Sequence, residues 1–202
     1  MCGYCPLASG SSGNAIFFRS KKTSLLIDAG LGYRELVKRL ATINKKIDQI
    51  DAILITHEHK DHIHGLKTII PKKNIFIFSN LETAKAIYNH HKEMFSFKIF
   101  TTDEPFVFQD LIIKPFSISH DAIEPVGFTL FFDNKKLGFC SDAGFVTSLM
   151  RKNLENCNFL YLEANHEENM VLSSKRPKTL KQRILGRLTS TGGNFTVGYH
   201  LY

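Results

Sequence analysis

No run of some eighteen apolar residues occurs in this sequence, which excludes a transmembrane helix of ordinary length. The amino terminus, Met1-Cys2-Gly3-Tyr4-Cys5-Pro6, has no basic start followed by an apolar stretch, so a secretory signal is not expected. Four cysteines in 202 residues are too few for a disulfide framework. Cys2 and Cys5 form one CxxC without the second pair that a zinc ribbon needs, and without the strand-to-helix setting of a redox motif. Cys140 and Cys157 stand alone, and reduced thiols in a cytoplasmic protein are the expected state. Internal repeats and low-complexity linkers are missing too. What remains, 43% hydrophobic and 22% charged, is the composition of a globular protein with one good core.

The formal net charge is +7. A basic balance suits a polyanion partner as well as an ordinary solvated surface. Its distribution is uneven. Lys175, Arg176, Lys178, Lys181, Arg183 and Arg187 fall within thirteen residues that contain no acid. Such a patch fits a nucleic-acid backbone, DNA or RNA.

The densest chemistry lies at residues 53–65. Ile53-Leu54-Ile55 is a short β-branched run that reads as a buried strand. His57, His59, Asp61, His62 and His64 follow within eight residues, and Gly65 closes the stretch. Imidazole nitrogens and carboxylate oxygens are ligands for zinc, manganese or iron. His57 and His59 can aim at one ion, while Asp61 and His62 can face a second. His64 reads as a surface residue. Further polar residues stand at other strand ends. His120-Asp121 follows an alternating stretch from Ile113, Asp142 follows Leu137–Ser141, and Glu163 and His166 follow Tyr161-Leu162. Ser119-His120-Asp121 is not a catalytic triad, because adjacent residues cannot line up nucleophile, base and orienter.

Thr56 to His62 resembles the Thr/Ser-His-x-His-x-Asp-His signature of the metallo-β-lactamase-fold hydrolases. Leu7-Ala8-Ser9-Gly10-Ser11-Ser12-Gly13-Asn14 and Leu162-Glu163-Ala164-Asn165-His166 are similar to segments of one branch, the YycJ/WalJ-like exonucleases. The resemblance implies an α/β fold, an αββα sandwich, spanning residues 1–187. It implies two divalent metal ions, Zn²⁺ or Mn²⁺. His57, His59 and His120 would bind the first, Asp61 and His62 the second, with Asp142 between them. A hydroxide bridging the ions would be the nucleophile, held by Asp61. The substrate would be DNA, cut from the 5′ end. Glu163 would orient a ligating histidine, and His166 would be a substrate contact or a ligand. Asp28, in Leu25–Gly30, would be a structural or orienting residue.

Similarity to the branch stops at Leu188. The late His-Leu-Ser motif that completes the second metal is missing, and 188–202 reads as a divergent tail on an incomplete carboxy-terminal part. A shortened, frameshifted family member with a weak second site is therefore expected. Its alternatives are a metal-binding remnant with little catalysis and a hydrolase of a small phosphodiester or thioester.

Periodicity predicts the remaining elements. Strands are expected at 15–19, 24–28, 52–55, 75–78, 97–100, 106–108, 111–116, 127–132, 136–140 and 159–162. Helices are expected at 33–40, 65–70, 81–90, 145–154 and 180–188.

Overall fold

A computed structural model describes residues 2–73, 75–92 and 95–163. The chain forms two mixed sheets packed face to face. The first contains, in spatial order, β1 (Gly3–Ala8), β2 (Ala15–Arg19), β3 (Ser24–Ile27), β4 (Ala52–Leu54), β5 (Phe76–Ser79) and β6 (Phe97–Ile99). The second contains β11 (Phe159–Leu162), β10 (Lys135–Cys140), β9 (Val126–Phe132), β8 (Leu111–Ser117) and β7 (Phe106–Phe108). Helices α1 (Tyr33–Thr42), α2 (Lys60–Ile63), α3 (Leu66–Ile69) and α4 (Leu81–His91) fall between the strands of the first sheet, and α5 (Ser148–Leu154) between β10 and β11.

Side-chain alternation builds the layers. Along β2, Ala15 and Phe17 face the helical side, where Leu26, Ile53 and Ile77 meet Leu36 and Leu40 of α1, Leu66 of α3 and Ile87 of α4. Ile16 and Phe18 face the other way, into a core between the sheets with Leu25, Leu54, Phe128, Leu130 and Phe139. A smaller cluster of Phe116, Cys140 and Met150 joins α5 to the outer face of the second sheet. The result is the expected αββα sandwich. Each fully buried Phe or Leu in it contributes about 1.5–3 kcal/mol relative to exposure.

Most expected elements appear within a residue or two of their expected ends. Three differ. β1 was not expected, because Gly3, Cys5 and Pro6 make a poor strand former; it is held as an edge strand by its pairing with β2. Helix α2 was hidden inside the histidine motif. Helix α5 starts at Ser148, not 145: Thr147 caps it by accepting from Met150 N–H, and Phe145 instead bridges to Ser119. The Asp133-Asn134 turn between β9 and β10 has both residues at positive φ (48° and 58°), as a two-residue hairpin demands. The helix expected at 180–188 and the tail 188–202 lie outside the described residues.

Topology decides where the polar residues meet. β3, β4, β5 and β6 run parallel, and β1 points the same way because β2 reverses it twice. In the second sheet β8 and β10 share one direction, since β9 is antiparallel to both, and β11 is parallel to β10. The carboxyl ends of β1, β3 and β4 thus form one rim of the first sheet, and those of β8, β10 and β11 one rim of the second. Val126 N–H donates to Thr56 C=O at 3.0 Å, bringing the two rims together.

Candidate metal centre

The rim loops are tied backbone to backbone. Asn14 N–H donates to Asp61 C=O (2.7 Å), Gly30 N–H to Asn14 C=O (2.8 Å), Ala29 N–H to His62 C=O (2.7 Å) and Gly65 N–H to Ala29 C=O (2.7 Å). Glycine is required at two of these points by space alone. A Cβ on Gly30 would lie 1.8 Å from the Asp61 carbonyl oxygen, and one on Gly65 would lie 1.9 Å from that of Leu31.

On this platform three histidines converge. His57 Nε2 lies 3.1 Å from His59 Nδ1, and His120 Nε2 lies 3.1 Å from the same atom. Two imidazole nitrogens bound to one tetrahedral zinc at ordinary bond lengths stand about 3.3 Å apart. His57, His62 and Asp142 make a second group, with His62 Nε2 3.1 Å from Asp142 Oδ2. Within each group the ligand atoms all lie within 4.8 Å of one another. Asp61 stands beside the second group, its Oδ2 3.6 Å from His62 Nε2. The groups depart from the expected division: His57 belongs to both, Asp142 to the second alone, and Asp61 to neither. His57 is the buried side chain between them, with its ring centroid 4.1 Å from that of His62 and 4.7 Å from that of His120.

One buried carboxylate fixes the tautomers. Asp28 is 1% exposed and accepts from His62 Nδ1–H at 2.8 Å. It also accepts from the backbone N–H and the hydroxyl of Thr56, each at 2.9 Å. Because that hydroxyl spends its hydrogen on Asp28, the Thr56 oxygen is left to accept from His57 Nδ1–H, 2.9 Å away. Both histidines therefore carry their hydrogen on Nδ1, and each has Nε2 directed at the site. Asp28 and Asp142 hold left-handed backbone (φ 62° and 56°), which aspartate adopts more readily than most residues.

The electrostatics agree with a donor set. Burial pulls His57 far below the usual histidine range, helped by the neighbouring imidazoles, so it is a neutral base. Burial likewise lowers His120, against the opposing pull of Asp142. His62 is the exception. Burial would lower it, but the carboxylates of Asp28 and Asp142 outweigh burial and push it up to about 10. Burial would raise Asp142, but its hydrogen bond to His62 and the surrounding imidazoles lower it overall. A buried site that sets the neutral imidazole of His57 beside the ionised carboxylate of Asp142, with His62 able to give up its proton to a cation, fits a pair of divalent cations.

The other candidates are placed as follows. Glu163, at the end of β11, accepts from the Ser9 hydroxyl at 2.8 Å, and burial raises its pKa. Of the ligating histidines, His62 is held by Asp28. His64 is exposed. Burial raises the Cys140 thiol to about 12, which makes it an inert core residue, and the four cysteines are free. His166 and the basic residues Lys175, Arg176, Lys178, Lys181, Arg183 and Arg187 lie outside the described residues. Sequence reasoning missed Asn14, whose amide nitrogen is 3.0 Å from Asp61 Oδ2 and 2.9 Å from His62 Nε2. Only the small-residue turn before it gave a signal.

A family profile described as a β-lactamase superfamily domain matches residues 23–190. The chain belongs to the metallo-β-lactamase superfamily. Among superfamily members it is 39% identical over 189 residues to the exodeoxyribonuclease WalJ of Streptococcus pneumoniae, covering 92% of this chain and 70% of that enzyme. It is 32% identical over 187 residues to the exodeoxyribonuclease YycJ of Bacillus anthracis, covering 89% of this chain and 69% of that enzyme. The solved structure of Zn²⁺-bound PqqB from Methylobacterium extorquens superposes with a TM-score of 0.65 at 14% identity, over 86% of this chain and 67% of that one, a likeness of fold alone. No helix among the described residues is long and apolar enough to cross a membrane.

Proposed function

We propose that this chain hydrolyses phosphodiester bonds of DNA, removing nucleotides from the 5′ end with the help of two divalent cations, Zn²⁺ or Mn²⁺. The observation that carries this reading is the pair of donor groups, His57/His59/His120 and His57/His62/Asp142, sharing one buried imidazole at the rim. The similarity to enzymes named exodeoxyribonuclease supports DNA as the substrate.

When bound, two cations supply a lowered pKa for a water and charge neutralisation for the oxygens of a phosphodiester. His57, His59 and His120 would hold one. His62 and Asp61 would hold the other, and Asp142 would lie between. The chain's own part is arrangement and proton handling. Asp28 and Thr56 keep the imidazole lone pairs of His57 and His62 turned inward. Asp61, with its side chain one-third exposed at the edge of the site, would accept the proton of the attacking water. Burial of His57 and His62 keeps bulk water from competing for the donor atoms.

The test is degradation of 5′-labelled single- and double-stranded DNA with Mn²⁺ or Zn²⁺, beside an Asp61→Ala, His62→Ala control. Metal-dependent shortening in the unaltered protein alone supports the reading. Equal activity in both preparations overturns it. Absence of activity, with a single cation per chain, supports the metal-binding remnant instead.

A further inference from the structure

Asn14 is buried against the second group of metal donors, in contact with His62 and with Asp61 beside it. All its polar groups are engaged. Its backbone N–H and C=O bind Asp61 C=O and Gly30 N–H. Its side-chain Oδ1 accepts from Gly10 N–H at 2.8 Å. Its Nδ2 donates to Asp61 Oδ2 at 3.0 Å and lies 2.9 Å from His62 Nε2. The Gly10 contact fixes which way the amide faces. A flipped amide would set Nδ2 against the Gly10 donor and Oδ1 against the Asp61 carboxylate, so both contacts would become repulsive.

We propose that Asn14 is a positioning residue for the cation at His62, acting through Asp61. The amide clamps one Asp61 oxygen at the edge of the site, so the carboxylate meets the cation already oriented. Asp61 needs such a clamp more than its neighbours do. Its side chain is one-third exposed, whereas Asp28 and His62 are locked by burial and by each other. The clamp comes from the β1–β2 loop, forty-seven residues away in sequence, and its backbone bonds to Asp61 and Gly30 hold it rigid. This inference rests on the two-cation reading above.

The test is titration with Zn²⁺ against a competing chelator, repeated with Co²⁺ to read the d–d spectrum of each step. The unaltered protein is expected to take two equivalents. The step abolished in a His62→Ala control is assigned to the His62 position, and the step abolished in His120→Ala to the other. In Asn14→Ala, affinity at the His62 position should fall at least about tenfold, the usual loss when a residue orienting a metal ligand is removed. Affinity and Co²⁺ spectrum at the His57/His59/His120 position should not move, which also shows that the variant is folded. In an Asp61→Asn background, Asn14→Ala should cost less than about twofold, because the partner through which it acts is already gone. An unchanged His62-position affinity, a parallel loss at both positions, or full additivity with Asp61→Asn each overturns the proposal. Uptake of a single equivalent by the unaltered protein overturns the two-cation reading and this proposal together. Two equivalents with Asn14→Ala unmoved overturns this proposal alone.

Discussion

At the scale of single residues, Asp28 is the root of the centre. It holds His62 directly and His57 through the Thr56 hydroxyl, so one substitution should disturb both donor groups. Asp28→Asn keeps the side-chain shape and tolerates the left-handed backbone, but its amide offers one acceptor oxygen where three donors now converge. Zn²⁺ affinity should fall about 10- to 100-fold, measured by chelator competition. Titration adds a second residue-scale prediction. Without cation, His62 stays protonated up to about pH 10, so a cation binding at Nε2 displaces one proton. Affinity at that position should rise about tenfold per pH unit between pH 7 and 9, and calorimetry in buffers of different ionisation enthalpy should count one proton released. Stability of the cation-free protein follows the same linkage. The His62 contribution is fully present below the ordinary histidine pKa of 6.5 and is lost as pH rises towards 10. His57 has the opposite sign. It is neutral when folded, so below pH 6.5 the unfolded chain takes up a proton that the folded chain refuses, and stability falls. A melting midpoint that declines on both sides of neutrality would display the two effects.

At the scale of elements, the site is built by turns and short helices, and these are separable from the scaffold. Helix α4 is capped by Asn80, which accepts from Thr83 N–H at 2.9 Å and also donates to Glu124 C=O at 2.8 Å. Asn80→Ala should cost about 1 kcal/mol of stability from the cap, more with the Glu124 contact, and leave Zn²⁺ binding intact. Gly65→Ala should do the reverse of sparing the site. Its new methyl meets the Ala29 and Leu31 carbonyls, so the segment carrying His62 must shift, with a loss of 1–3 kcal/mol, roughly, and weaker metal uptake. Thermal melts with and without Zn²⁺ separate the two cases. Sequence pattern reveals these elements unequally. Strands such as β4 and β9 are legible because each is a nearly continuous run of buried, mostly apolar side chains. β1 is not, since pairing rather than propensity makes it a strand. The four-residue α2 is too short for any period to show.

At the scale of the whole molecule, the decisive fact is a direction shared by strands. The Thr56–His62 motif names half a site from a single loop, and His120 and Asp142 are recognisable because each follows an apolar stretch. What no local pattern reveals is that Asn14 and Asp28 reach the same rim, because those contacts join residues 28 to 48 positions apart and exist only after the sheets form. The substrate is also a whole-molecule question. A charge of +7 and the Lys175–Arg187 run lead to a quantitative expectation if DNA lies along the protein. Affinity for single-stranded DNA, measured by fluorescence anisotropy in chelator so that no cleavage intervenes, should fall linearly on a logarithmic salt scale between 50 and 200 mM salt. Each phosphate contact contributes a slope of about 0.7. Replacing Lys181, Arg183 and Arg187 with alanine should lower the slope by up to about 2 if all three touch phosphates. Hydrolysis of a small chromogenic phosphodiester should be unaffected by the same replacements, since that substrate needs only the rim. A slope that stays constant would remove the basic run from the DNA path while leaving the metal centre and its chemistry untouched.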